Sequence, residues 1–193
     1  MRIRDDKAAS EAKSDEDTWQ PDLEGFLKYL VDSKLVFETV EQIINDWNDP
    51  AYIHFRKGRL ERTESLMKDL EWFKKQGCTI PEPSPPGKRY STYLKKLAES
   101  SAPSFLCHYY NLYFAHATGG VGIGQKVKQK LLGDRELEFY SWDGDVQLLL
   151  KDVRDVLNKL GMQWTRDEKN KCLKEAAKSF RFMGQIVRLI VLL

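Results

Sequence analysis

The residues with the clearest chemical meaning lie in FLCHYYNLYFAHATGGVGIGQKV, residues 105–127. An aromatic, otherwise helical pattern runs there into four glycines, at Gly119, Gly120, Gly122 and Gly124. Each glycine inside a helix costs about 1 kcal/mol relative to alanine, so this cluster predicts a helix that is locally weak and easily kinked. Main chain without side-chain cover suits a flat ligand lying against it.

Two other interpretations of the glycines need weighing. A dinucleotide-binding turn requires G-x-G-x-x-G directly after a strand, whereas Gly120, Gly122 and Gly124 are spaced G-x-G-x-G after a helical pattern. That alternative is disfavoured. A close helix crossing, in which small residues let two backbones approach, explains the glycines without any ligand. Periodicity alone does not separate the crossing from a ligand surface.

The elements around this segment are predicted to be helices. Residues 22–46 carry apolar residues at helical spacing, and a shorter stripe at Leu66, Leu70 and Phe73 is followed by Gly77 as a stop. The prolines and glycine of residues 81–87 predict a loop inside one domain, before a further helix that carries Tyr90. No strand ladder is evident.

The last third of the chain is also expected to be helical. Residues 146–160 form one helix ended by Gly161, and Thr165 to Glu168 has the form of a capping box for the last helix. The inward face of that helix is predicted to comprise Phe180, Met183, Ile186, Val187 and Ile190. Its apolar tail is too short for a bilayer, which takes about 20 apolar residues, so no membrane span is expected.

Composition limits the function classes. The 193 residues suit one domain, and the net charge of +2 gives no reason to propose nucleic acid as a partner. Residues 1–20 hold four basic and six acidic side chains with almost no apolar pattern, which predicts disorder. Three dispersed cysteines favour packing roles in a reducing compartment over disulfides or a metal site. No targeting sequence is visible.

The chain resembles the heme oxygenases, specifically their plant-type branch. The similarity runs through LERTESLMKDLEWF from Leu60, the proline-rich segment from Ile80, LEFYSWDGD from Leu137 and WTRDEKNKCLKEAAKSF from Trp164. In the glycine segment the matching residues are Cys107, His108, Tyr110, Tyr113, Phe114, Ala115, His116, Gly119 and Gly120. The resemblance implies an all-α, single-domain helical bundle over residues 21–193, preceded by a disordered or truncated segment.

The N-terminus departs from the family pattern. The resemblance implies a proximal histidine, which binds heme iron, in a stretch similar to M-R-L-H-T-K-D; this chain begins MRIRDDK and has Arg4 at that place. A guanidinium has no lone pair to donate, so Arg4 cannot replace imidazole. The chain's three histidines are His54, His108 and His116. The match places none of them on the proximal side, so no protein metal ligand is predicted.

The resemblance also implies the other site residues. Gly119 and Gly120 would form the distal kink against the porphyrin, and His116 and Gly120 would serve the distal chemistry of an active enzyme, with His116 donating and accepting through water. His108 is expected to be a hydrogen-bonded core residue. Porphyrin propionates need cations and hydroxyls. The candidates for them are Lys151, Arg154 and Tyr110, and Phe180 is expected to contact the ring.

Two functions from different classes follow. The first is a degenerate, monomeric plant-type homologue in the chloroplast stroma that binds heme or protoporphyrin, in the setting of phytochrome chromophore and tetrapyrrole metabolism, without opening the ring. The alternative is an active oxygenase that uses ferredoxin as electron donor and converts heme to biliverdin, carbon monoxide and ferrous iron. A third possibility is a helical interaction domain that binds no tetrapyrrole.

Overall fold

The computed structural model describes residues 21–191, and within them every regular element is a helix. This confirms the predicted all-α fold. The expected disorder of residues 1–20 and the position of Arg4 lie outside the described residues. In chain order the helices are α1 (Leu23–Asp46), α2 (Pro50–Ile53), α3 (Thr63–Lys75), α4 (Pro85–Ser100), α5 (Ala102–Ala115), α6 (Val121–Leu131), α7 (Val146–Gly161) and α8 (Arg166–Val187).

Three shorter helical turns complete the described fold. A π-helical turn, His116–Gly120, joins α5 to α6 without a break in the helical path. A 3₁₀ turn, Glu138–Tyr140, lies between α6 and α7, and a second, Arg188–Ile190, follows α8. No helix within residues 21–191 combines the length and the apolar character that crossing a bilayer requires.

Helix α1 runs through the middle of the core. Phe26, Leu30, Val36 and Val40 are almost completely buried on it, as its apolar periodicity predicted. At its start the backbone of Gly25 lies so close to the C-terminal 3₁₀ turn that an added Cβ would clash with the carbonyl oxygen of Leu189. The 3₁₀ turn Arg188–Ile190 is therefore packed against the start of α1.

Helix α4 begins earlier than the sequence predicted. The proline-rich stretch was expected to be loop throughout, but Pro85 and Pro86 occupy the first turn of α4, where a missing N–H removes no hydrogen bond. The carboxylate of Asp32 on α1 accepts the backbone N–H groups of Ser84, at 2.7 Å, and Gly87, at 2.9 Å. This long-range cap supplies what the local sequence lacks.

Other boundaries agree with the sequence. Gly77 follows α3 with a φ of +89°, a left-handed conformation that favours glycine. Helix α7 ends at Gly161, and Thr165 and Glu168 form the predicted capping box at the start of α8. The predicted inward face of the last helix needs a correction: Ile186 of α8 and Ile190 of the following 3₁₀ turn are buried, but Phe180 is 54% exposed. Phe180 follows the apolar spacing, yet it points away from the core.

Candidate functional site

An apolar cavity of about 250 Å³ lies beneath the π-helical turn. Helix α1 forms one wall, the end of α5 and the π turn form the second, and α8 closes the third. The walls are mostly aliphatic and aromatic, with His116 and Ser33 among their few polar side chains. The apolar residues include Val36, Phe37, Leu112, Ile123, Met183 and Ile186.

The four clustered glycines have different surroundings. A Cβ on Gly124 would stand 2.7 Å from carbon atoms of the Tyr140 ring, and one on Gly120 would stand 2.9 Å from Nδ1 of His116. Rings of the chain itself thus cover two of the glycines. A Cβ on Gly119 or Gly122 would meet nothing within 4 Å, and of these two only Gly119 lines the cavity. The open main chain at the cavity is therefore that of Gly119.

His116 is held by the 3₁₀ turn that follows α6. Its Nε2 lies 2.6 Å from the carbonyl oxygen of Phe139, and the two rings stack with centroids 3.8 Å apart. Burial lowers the pKa of His116 to about 3, so the imidazole is neutral at physiological pH. A carbonyl oxygen can only accept, so Nε2 must carry the ring proton and Nδ1 must be the acceptor.

The acceptor Nδ1 of His116 is buried and has no hydrogen-bond partner in the described structure. Buried polar atoms are rarely left unpaired, and such an atom calls for an explanation. His116 borders the cavity, and its Nδ1 lies against the backbone of the π turn, where a Cβ on Gly120 would stand 2.9 Å from it. The sequence predicted that His116 would both donate and accept hydrogen bonds through water. Only acceptance by Nδ1 is available, because the ring proton lies on Nε2 and is donated to the carbonyl oxygen of Phe139.

The other predicted contact residues lie outside the cavity wall. The guanidinium of Arg154 donates a 3.2 Å hydrogen bond to the hydroxyl of Tyr110, which brings α7 and α5 together. Lys151 pairs with Asp155 at 2.7 Å on the surface of α7, and Phe180 is exposed on α8. None of these four predicted contact residues borders the cavity. Their contact with propionates or ring stays a prediction.

The remaining histidines are not at the cavity. His108 is completely buried, as expected of a core residue; its Nδ1 lies 2.7 Å from the Tyr90 hydroxyl and its Nε2 lies 2.6 Å from the Glu175 carboxylate. His54 is exposed after α2. No group of three or more histidine, cysteine or acidic side chains is placed to hold a metal within residues 21–191.

Some wall residues were not anticipated from the sequence. Tyr29, Ser33, Val36 and Phe37 come from the middle of α1, where they belong to the same apolar pattern as the core. Nothing in that pattern distinguishes a side chain that faces a cavity from one that faces another side chain. The cavity becomes evident only in the folded structure, where α8 and the π turn lie opposite α1.

Comparison with solved structures places this architecture among the heme oxygenases. Heme oxygenase-2 from Synechocystis sp. PCC 6803, solved in complex with heme and NO, superposes with a TM-score of 0.74 at 23% identity, covering 86% of this chain and 71% of that one. Heme oxygenase from Leptospira interrogans gives 0.69 at 23% identity, covering 83% and 80%. At this identity the likeness concerns the fold.

The chain belongs to the heme oxygenase family, whose family model matches residues 16–189. It is 61% identical over 177 residues to "probable inactive heme oxygenase 2, chloroplastic" of Oryza sativa subsp. japonica, covering 92% of this chain and 54% of that protein. It is 56% identical to heme oxygenase 1, chloroplastic, of Arabidopsis thaliana, covering 90% and 61%. The chain thus spans little more than half the length of these relatives.

Proposed function

We propose that this plant-type member of the heme oxygenase family binds heme or protoporphyrin in the cavity beneath the π turn and does not open the ring. The observation that carries the proposal is the open main chain of Gly119 beside the unpartnered Nδ1 of His116, at an apolar cavity. The bare backbone lets a flat ring approach closely, and the aliphatic walls exclude water from it. A relative that is 61% identical carries the name "probable inactive heme oxygenase 2".

The residues at the cavity suit a tetrapyrrole in part of its extent. Ligand pockets are commonly about 300 to 1,000 Å³, so a cavity of about 250 Å³ accommodates a portion of the macrocycle, and the rest must extend past the described walls. The open backbone of Gly119 would lie against the ring, with Gly120 and His116 beside it in the same wall of the cavity. Heme, when bound, supplies an iron that can bind dioxygen and accept electrons.

The absence of ring opening is proposed from the histidines. Arg4 stands where the family resemblance places the proximal histidine, and it has no lone pair for iron. His108 has both ring nitrogens occupied by Tyr90 and Glu175, and His54 lies away from the cavity. Protoporphyrin without iron would therefore bind about as well as heme.

The alternative is a ferredoxin-dependent oxygenase that releases biliverdin. It is favoured by the 56% identity to heme oxygenase 1, chloroplastic, of Arabidopsis thaliana, and by the resemblance to the family at His116, Gly119 and Gly120. For either function we propose that the protein acts as a monomer in the chloroplast stroma; the relatives' names, which include the word chloroplastic, support the chloroplast. We further propose that Lys151, Arg154 and Tyr110 bind propionates and that Phe180 contacts the ring.

The test is a titration of the chain with hemin and, separately, protoporphyrin, followed by absorbance. Gly119→Leu should weaken the binding of both porphyrins at least about tenfold, because its side chain would occupy the ring face. Gly122→Leu is the matched control, since it also replaces an open helical glycine but does not line the cavity. It should leave both affinities unchanged.

Turnover separates the two functions. Ferredoxin, its reductase and NADPH are added to the hemin-loaded chain while the biliverdin band is monitored. Biliverdin formation would establish the oxygenase and exclude the binder without ring opening. Equal binding of both porphyrins without biliverdin supports the proposal. If neither porphyrin binds, or if Gly119→Leu binds both porphyrins as tightly as the wild type and Gly122→Leu do, the cavity is not the porphyrin site.

A further inference from the structure

The carbonyl that orients His116 is itself held from two sides. Arg62, which is only 4% exposed, directs Nη1 at three carbonyl oxygens of the 3₁₀ region: those of Glu138 at 3.3 Å, Phe139 at 3.2 Å and Ser141 at 2.6 Å. The carboxylate of Asp69 accepts the backbone N–H groups of Glu138 and Phe139, both at 2.8 Å. Arg62 thus binds the carbonyl groups of this region, and Asp69 binds its amide groups.

Arg62 is also fixed at its base. Its Nε donates to the carbonyl oxygens of Leu60 and Glu61, at 3.0 and 2.8 Å, and the guanidinium lies over the Trp142 ring at 4.6 Å from the centroid. Its backbone N–H donates to the carboxylate of Glu41, which also accepts the Tyr113 hydroxyl at 2.9 Å. A planar guanidinium makes such divergent contacts in one fixed geometry.

We propose that Arg62 is a positioning residue for His116: by holding the Phe139 carbonyl it keeps the imidazole in the Nε2–H tautomer and leaves Nδ1 as the acceptor of a ring that borders the cavity. Asp69 supports the same turn from its amide side. The proton could otherwise reside on either nitrogen, because a neutral imidazole has two tautomers. A group that reaches Nδ1 then meets an acceptor, so a hydrogen-bond donor such as water can pair with it, whereas dioxygen, which has no proton to donate, cannot.

That ligand preference rests on the proposed function, whereas the tautomer does not. The experiment is therefore made without porphyrin, by ¹⁵N NMR of histidine-labelled protein. The signals of His116 are identified by their loss in His116→Asn. In the wild type we expect one protonated Nε2 and one unprotonated Nδ1, without exchange between tautomers.

The variants are Arg62→Lys and Arg62→Met. Lysine keeps the charge, but its single ammonium group cannot bind both the carbonyls of Leu60 and Glu61 and those of the 3₁₀ region. The ¹⁵N chemical shifts of the two His116 ring nitrogens should therefore move partway toward each other. Methionine removes all the donors, and the shifts should approach those of a freely exchanging imidazole. Arg56→Lys is the matched control, because Arg56 also donates to two backbone carbonyls, of Ile44 and Trp47, but touches nothing near His116. It should leave the His116 signals unchanged.

Several results would overturn the inference. One is a wild-type His116 that carries its proton on Nδ1 or exchanges freely. Another is an Arg62→Lys spectrum with His116 unchanged, and this variant decides the question if Arg62→Met does not fold. A shift of equal size in Arg56→Lys would reduce the effect to general loss of stability. Failure of porphyrin binding together with a fixed tautomer would refute only the proposed function.

Discussion

Replacing Gly124 with alanine should fail to stabilise the protein, although alanine is the better helix former. Both Gly122 and Gly124 lie in α6, and alanine gains about 1 kcal/mol over glycine in a helix interior. A Cβ at Gly122 meets no atom within 4 Å, so Gly122→Ala should realise that gain. A Cβ at Gly124 would stand 2.7 Å from carbon atoms of the Tyr140 ring, and overpacking of this kind costs about 1 to 3 kcal/mol.

The two variants should therefore differ by about 1 to 3 kcal/mol in the free energy of unfolding. For a chain of this size that corresponds to a difference of about 2 to 12 °C in Tm. Urea unfolding followed by far-ultraviolet circular dichroism measures the free energies, and thermal scans give the Tm values. Equal stabilisation by Gly122→Ala and Gly124→Ala would refute the close packing of Tyr140 on the helix backbone.

Three further predictions concern the core, the cap of α4 and pH. Asp32→Ala should lower the free energy of unfolding by about 2 kcal/mol or more in urea unfolding, because it leaves buried donors of α4 unpaired; a loss below about 0.5 kcal/mol would contradict the cap. Ile186→Ala should cost about 2 to 5 kcal/mol and Phe180→Ala much less, since Ile186 is buried and Phe180 is 54% exposed; equal losses would place Phe180 in the core. Burial holds the pKa of His116 at about 3, below the 6.5 of the free group, so its contribution to stability is complete above about pH 6.5 and is lost as the pH falls toward 3. Between about pH 7 and about pH 5 the wild type should lose about 2 kcal/mol more than His116→Asn, and parallel pH profiles would show that His116 is not buried in its neutral form.

The sequence was sufficient for the helices because their signals are local. The apolar stripes of α1 and α3, the stop at Gly77 and the capping box at Thr165 depend on residues within one or two turns of each other. The start of α4 was misplaced because its cap comes from Asp32, which lies more than fifty residues earlier in the chain. With this long-range acceptor, two consecutive prolines can begin a helix, but no local sequence pattern reveals that the acceptor is there.

The site was predictable to a smaller extent. The resemblance singled out His116, Gly119 and Gly120, and the structure brings all three to one cavity. The direction of the His116 hydrogen bond was not accessible, because its partner is a backbone carbonyl and every residue has one. Arg62 was missed for the same reason: its contacts are with main-chain oxygens of a turn far along the chain.

The glycine cluster has two explanations at different residues, which is why periodicity could not separate them. Gly120 and Gly124 admit the rings of His116 and Tyr140, so they serve close packing within the chain. Gly119 is open and borders the cavity, so it suits a ligand. Residues 116–120 form a π turn, a local irregularity that is frequent at functional sites, and His116, Gly119 and Gly120 of this turn all border the cavity. The same cluster of glycines thus allows close packing of two rings at Gly120 and Gly124 and leaves the main chain open to a ligand at Gly119.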